Sequence, residues 1–171
     1  MIKDKNFTLR HPILKDLSSY YDNKNDKLIA KNMVFFNQPY KLNDAKKELI
    51  EIIKNNNKRI ITEETFIIDI NKKAVGEIQI CNIIPKFKAK LSYWIGKNYR
   101  GKGIATKTVK LITKYGFRKY KLKRIIANVR TFNKASVGVL EKAGYKLEGT
   151  LRKNVLKNGK YYDDFIYAMV K

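Results

Sequence analysis

The hydrophobic and polar positions along this chain change period several times, and each change marks an element. Thr65–Ile70 and Val75–Ile84 are rich in β-branched and aromatic residues. That pattern predicts two strands, joined by a hairpin turn at Asn71-Lys72-Lys73. Pro85 stops the second strand, and Lys88–Ile95 reads as a third. The period then lengthens. Ile104, Ala105, Thr108, Val109, Leu111, Ile112, Tyr115 and Gly116 share one helical face, while Lys107, Lys110, Lys114 and Arg118 share the other. This is an amphipathic helix with an apolar core face and a solvated basic face. A short apolar strand follows at Arg124–Val129. A second helix then runs from an Asn133 N-cap to a stop at Gly144. Tyr145–Leu156 and Tyr161–Val170 read as a closing hairpin across Asn158-Gly159.

Before residue 65 the pattern is weaker. Phe7–Arg10 predicts a short strand, broken by His11-Pro12. Ile13–Tyr21 predicts a helix with Ile13, Leu14, Leu17, Tyr20 and Tyr21 on one side. Residues 22–40 read as irregular, with Met33, Val34, Phe35 and Phe36 ahead of Pro39. Asn43 or Asp44 caps a helix that runs to about Lys54. The order is mixed α/β, and periodicity alone does not choose between α+β and α/β.

Composition narrows the class. A chain of 171 residues with 44% hydrophobic content predicts one packed domain, placed at 7–171, and argues against disorder. Cys81 is the sole cysteine, which excludes an internal disulfide and a cysteine metal cluster. His11 is the sole histidine, so a multi-histidine metal site is excluded as well. No leader peptide and no apolar run of membrane-spanning length is visible, so a cytoplasmic setting is expected. The formal net charge is +23, from 38 basic and 15 acidic residues. It is uneven: residues 1–85 carry 15 basic and 11 acidic groups, and residues 86–171 carry 23 and 4. Such a field favours polyanions. The preference for Lys over Arg fits an A/T-rich coding sequence, but the shortage of acids does not follow from it.

The stretch that organises the chemistry is Tyr93-Trp94-Ile95-Gly96 followed by Arg100-Gly101-Lys102-Gly103 at the head of the helix. Glycines let the backbone approach a ligand, and the first helical turn offers free N–H groups with a partial positive charge. Together they predict an anion site. The spacing excludes a P-loop. It also excludes a dinucleotide fingerprint, because Thr106 stands where the third small residue is needed.

Arg100-x-x-Gly103-x-Ala105 resembles the pyrophosphate-binding signature of the GNAT N-acetyltransferases. The strand 93–96, Asn133-Lys134-Ala135-Ser136 and Leu140–Tyr145 resemble further segments of that family in the right order. Glu148–Arg152 and Tyr161–Asp164 resemble the branch that acetylates N-termini of ribosomal proteins. The resemblance implies a central mixed, mostly antiparallel sheet of about seven strands flanked by about four helices. It implies acetyl-CoA as cosubstrate and no metal. Trp94, Ile95, Arg100, Gly101, Lys102, Gly103, Ile104, Ala105, Thr106, Asn133 and Ser136 become the expected cofactor contacts. The strand at 91–95 is expected to carry a bulge, to splay from its neighbour, and to offer the N–H near Ile95 to an oxyanion.

The acid–base pair departs from the commonest family pattern. Where many relatives place a glutamate, this chain has Lys86, Lys88, Lys90 and Lys97. Glu77 is the best remaining base, with a carboxyl that burial would raise, or else a surface strand residue. Leu140 stands where many relatives have tyrosine, and Ser136 takes the general-acid role in the resembled branch, against a plain helix-start serine. Asp163 and Glu148 read as structural. The expected acceptor is a primary amine, with a protein N-terminus favoured. An aminoglycoside, amino sugar, polyamine or amino acid is the alternative acceptor, and a non-catalytic basic module for RNA or the ribosome is the competing class. Expected partners are acetyl-CoA and the amine acceptor, with nucleic acid permitted, no membrane, and a monomer or homodimer.

Overall fold

The computed structural model describes residues 1–34, 36 and 38–171. One eight-stranded sheet runs through it. The strands are β1 (Ile2–Lys3), β2 (Thr8–Arg10), β3 (Glu64–Ile70), β4 (Lys73–Ile84), β5 (Lys88–Ile95), β6 (Arg124–Arg130), β7 (Lys146–Lys157) and β8 (Lys160–Val170). The helices are α1 (Leu17–Lys24), α2 (Lys27–Asn32), α3 (Leu42–Asn56), α4 (Ile104–Lys119) and α5 (Lys134–Ala143). Spatially the strand order is β1-β2-β3-β4-β5-β6-β8-β7. All neighbours are antiparallel except β5 and β6. The expected mixed, mostly antiparallel architecture therefore holds, with one more strand and one more helix than expected.

The extra elements have physical reasons. β1 pairs only two residues with β2, too short to leave a periodic signal. α2 has six residues and stands on a capping contact: the Asp26 carboxylate accepts the N–H groups of Leu28 and Ile29 at 2.9 and 3.0 Å. The cap of α3 differs from expectation. Its first turn starts at Leu42, and Asp44 acts from inside the helix by accepting the Lys41 N–H at 3.0 Å. Phe35, part of the expected apolar run, lies outside the described residues.

The sheet separates two cores. On one face α4 and α5 pack Val109, Ile112 and Leu140 against Phe66, Ile68, Val75, Ile78, Ile80 and Ile125. On the other, α1 and α3 pack Tyr20, Ala45 and Leu49 against Ile67, Ala74 and Trp94. Fully burying a side chain such as Ile112 or Leu49 stabilises by roughly 1.5–3 kcal/mol each. A polar node clamps the first core at its margin. Glu64, 2% exposed, accepts hydrogen bonds from Tyr115, Lys119 and Tyr120 and meets His11 Nε2 at 2.9 Å. His11 is thus tied to a buried carboxylate.

The feature that positions the site is a gap. β5 and β6 pair only through Lys88–Lys90 and Arg124–Ile126, then diverge. Divergence leaves the Leu91–Ile95 edge of β5 open on the β6 side. The expected bulge falls elsewhere: β5 pairs regularly from Lys90 to Ile95, and the irregularity sits on β4 between Cys81 and Ile84. There Asn82 takes φ of 51°, inserting the additional residue.

Candidate active site

The glycine loop turns between β5 and α4. Gly101 and Gly103 have φ of +75° and +73°, the left-handed region that a side chain resists. Neither has a neighbour within 4 Å of an added Cβ, so the loop borders open space. Gly103 caps α4, whose first turn carries no acidic residue. The N–H groups of Ile104, Ala105 and Thr106 therefore face outward with the positive end of the helix dipole behind them.

Arg100 does not stand free beside this cradle. Its Nε donates to the Ile95 carbonyl at 2.9 Å and its Nη2 to Asp26 Oδ1 at 2.9 Å. It ties the loop to the end of β5 and to the start of α2. Burial would raise the Asp26 carboxyl, but Arg100 and the Ile29 and Leu28 N–H groups outweigh it and hold the acid below its ordinary value. Lys102 lies over the Tyr99 ring, 5.8 Å from its centroid.

From the loop a groove of about 470 Å³ runs between α2 and the start of α5. Leu28, Ile29, Ile95, Ile104, Ala135 and Val139 give it an apolar lining suited to a slender chain. Of the expected cofactor residues, Trp94, Ile95, Arg100, Gly101, Gly103, Ile104, Ala105, Thr106, Asn133 and Ser136 all border it; Lys102 does not. Trp94 turns its indole away into the second core, edge-on to Tyr20 at 5.3 Å. Asn133 caps α5, its Oδ1 accepting the Ser136 N–H at 3.2 Å. The Gly96 N–H bonds Val75 across to β4 at 2.9 Å. Strand alternation then points the Ile95 N–H into the gap, where an oxyanion donor is needed.

The groove opens into a larger cavity of about 1070 Å³. Asn32, Met33, Tyr93, Asn133 and Ser136 line both. At this junction Ser136 Oγ meets the Tyr93 hydroxyl at 2.7 Å. Burial pushes the Tyr93 hydroxyl up to about 12, so it stays protonated at neutral pH. Sequence reasoning missed Tyr93 as a functional partner. Its partner lies 43 residues away, and only its place before Trp94 in the β5 motif hinted at it.

Met33, Val34, Phe36, Pro39 and Tyr40 line the larger cavity, so the segment read as irregular forms its wall. Across from it stand Arg130 and Asp164, a buried ion pair between β6 and β8. Asp163 and Glu148 act structurally: Asp163 accepts the Lys153 N–H at 2.7 Å, and Glu148 pairs with Arg124 at the surface.

Glu77 is placed differently from a free base. It is 8% exposed and borders neither cavity. Its Oε2 accepts from the Tyr20 hydroxyl at 2.7 Å, with the Trp94 backbone as its β5 neighbour. Burial raises its pKa above the ordinary carboxylate value, and the nearby Lys24 ammonium opposes that rise. Among the described residues no group of three or more His, Cys, Asp or Glu is placed to hold a metal, and no helix is long and apolar enough to cross a membrane.

A strand opened at a parallel pair, with a glycine-capped helix beside the gap, defines the class. Residues 6–146 match the family model described as the acetyltransferase (GNAT) domain, and the chain belongs to that family. Among individual proteins it is 39% identical over 100 residues to "Probable N-acetyltransferase YjcK" of Bacillus subtilis (strain 168), covering 57% of this chain and 55% of that one. The chain spans about half the length of the curated relatives it matches first. Over 98% of its length it superposes on the microcin C7 self-immunity acetyltransferase MccE, solved with acetyl-CoA and AMP. That match has a TM-score of 0.86 and 29% identity, and covers 94% of MccE. It also shares its fold with RimL, a ribosomal L7/L12 α-N-protein acetyltransferase solved with coenzyme A. There the TM-score is 0.86 at 19% identity, covering 98% of this chain and 95% of RimL.

Proposed function

We propose that this chain, as one domain over 7–171, transfers the acetyl group of acetyl-CoA to a primary amine by direct attack on the thioester. The acceptor we favour is the α-amine of a protein N-terminus. One observation carries the reading: the groove that starts at the glycine loop and the large cavity meet end to end at Tyr93 and Ser136. A cosubstrate anchored by its pyrophosphate at Gly101–Thr106 would lay its arm along the groove and deliver its thioester to that junction.

In the reaction the neutral amine attacks the acetyl carbon and a C–N bond forms. The oxyanion takes the Ile95 N–H. Collapse then breaks the C–S bond, and the leaving sulfur receives a proton from the Ser136 hydroxyl. Tyr93 holds that hydroxyl in place, and the proton that the attacking nitrogen sheds replaces the one Ser136 gave. Glu77 remains the base of this reading, acting at a distance from the cavity. Holding amine and thioester together supplies a further large share of the acceleration.

The cavity's charge favours an N-terminal amine over a polyamine. Its lining carries Lys24, Lys90 and Arg130 against Asp44, Glu48 and Asp164. Balanced charge suits one ammonium followed by a neutral peptide, whereas a polycation would call for an excess of acids. The ribosomal-protein substrate of RimL fits this preference.

The test is a thermal unfolding shift with acetyl-CoA, followed by thiol release with short peptides that begin with Ser or Ala. Ligand at 100 times its Kd adds about 2.7 kcal/mol, or roughly 5–11 °C for a chain of this size. Gly103→Glu should erase the shift, because it strains a left-handed position and sets a carboxylate in the anion cradle. A shift of equal size in Gly103→Glu, or none in the wild type, would sink the reading.

A further inference from the structure

The proposed base presents a difficulty that the structure resolves. Glu77 is buried away from the cavity, so an acceptor ammonium cannot touch it. What lies between them is a continuous hydrogen-bonded chain. The Tyr20 hydroxyl donates to Glu77 Oε2 at 2.7 Å. Lys24 Nζ donates to that same hydroxyl at 2.9 Å. Lys24 Nζ also donates to Glu48 Oε1, and the Tyr40 hydroxyl donates to Glu48 Oε2 at 2.7 Å. Glu48 and Lys24 line the large cavity, and Glu48 has a side chain 35% exposed.

Lys24 shows how unusual the arrangement is. It is 1% exposed, and lysine is almost never fully buried unless paired. Its ammonium lies 5.1, 5.7 and 5.6 Å from the Tyr20, Phe36 and Trp94 ring centroids. The ammonium bonds Glu48 directly and reaches Glu77 only through the Tyr20 hydroxyl, so one cation stands among two carboxylates. Of those two carboxylates Glu48 alone borders the cavity. A second cation placed beside Glu48 pairs with it, and the ammonium of an acceptor is such a cation.

We propose that Glu48 is the carboxylate that binds the acceptor's ammonium and takes its proton, and that Lys24 and Tyr20 relay that proton to Glu77. The proposal deepens the acetyl-transfer reading and rests on it. The proton balance closes. The ammonium gives one proton to Glu48 and becomes the neutral amine. Glu48 passes a proton to Lys24 as Lys24 gives one to Tyr20 and Tyr20 gives one to Glu77, so Lys24 ends as it began. Once the amine attacks, its nitrogen loses a second proton and the sulfur gains one. Glu48 is then the catalytic residue of the acceptor side, and Tyr20, Lys24 and Glu77 are positioning residues that act through it.

The experiment measures steady-state kinetics of CoA release by the full chain with three acceptors: a seryl peptide, an alanyl peptide and spermidine. Glu48→Gln keeps an acceptor for Lys24 and Tyr40 and removes the charge. It should raise KM for the peptide about tenfold or more and lower kcat, leaving KM for acetyl-CoA unchanged. Tyr20→Phe should lower kcat on the order of a hundredfold with peptide KM unchanged. A merely structural cluster would lower the unfolding temperature and leave both constants of the folded protein as they were. Wild-type constants in Glu48→Gln overturn the proposal. Wild-type kcat in Tyr20→Phe overturns the relay. If Glu48→Gln does not fold, Glu48→Asp makes the same test by withdrawing the carboxylate one methylene, and unchanged kcat/KM there overturns the proposal equally. If the wild type shows an acetyl-CoA shift but turns over none of the three acceptors, the acetyl-transfer reading fails, and the relay falls with it.

Discussion

The two walls of the cleft are built in opposite ways. The cofactor wall is local. Residues 93–106 place a strand edge, two left-handed glycines and a helix head within one short stretch, and the groups proposed to hold the cofactor are backbone N–H donors. The acceptor wall is assembled from distance. Tyr20 reaches Glu77 across 57 residues, and Lys24 reaches Glu48 across 24. Backbone sites constrain residue type at fixed spacing, because glycine is needed where the chain turns left-handed. Side-chain sites constrain only what meets in space, so they leave no period and no motif.

The largest test of this contrast sits where the walls meet. Ser136→Ala should lower kcat by on the order of a hundredfold, since it removes the donor to the leaving sulfur. Acetyl-CoA affinity, measured by calorimetry, should stay within a factor of about two or three. Tyr93→Phe should lower kcat less, because Ser136 keeps its hydroxyl. If Ser136→Ala costs affinity instead of rate, the residue belongs to the cofactor wall alone.

A smaller effect tests whether the walls are coupled. Asp26 caps α2, which lines the groove and at Asn32 also the large cavity, and it holds Arg100, so it binds that helix to the glycine loop. Asp26→Ala should weaken acetyl-CoA binding by about threefold to tenfold through loss of a charge-assisted bond and a cap. Arg100→Ala should do the same, and the double variant should be no worse than the worse single one. Additive losses would mean that Arg100 meets the cofactor directly.

Glu64 should affect stability and not rate. Burial pushes its carboxyl up, but hydrogen bonds from Tyr120, Lys119, His11 and Tyr115 outweigh this and hold it below its ordinary value. A lowered folded pKa means that its stabilisation is present above the unfolded value, about 4.3, and is lost as pH falls through the folded one. Glu64→Gln should cost about 1–3 kcal/mol near neutral pH. The gap between variant and wild type should close on acidification below about pH 4 in denaturant titrations. The acetyl-CoA shift should be unchanged throughout.

The strand at Lys88–Ile95, the helix from Ile104 and the Asn133–Gly144 helix stand where the pattern predicts them, since each couples a strong period to its own stop signal. α2 was illegible because six residues cannot declare a period, and its stability comes from Asp26 and from Arg100 far along the chain. The bulge expected on β5 is absent there, and the irregularity sits on β4 between Cys81 and Ile84; the family resemblance suggested the bulge, and no break in the β5 pattern called for it. Arg100 was legible as a motif residue, but its partners were not.

The sequence by itself determined the family, the glycine turn at the head of α4 and the elements from β3 onward, because glycine, helix caps and apolar periods act through the local backbone. Only the tertiary structure decided the side proposed for the acceptor: that Glu77 lies shut away, that Lys24 is buried between Glu48 and the Tyr20 hydroxyl, and that of the two carboxylates Glu48 is the one bordering the cavity. The physical reason is desolvation. A buried charge is tolerable only where partners converge on it, and that convergence is a property of packing that no linear spacing records.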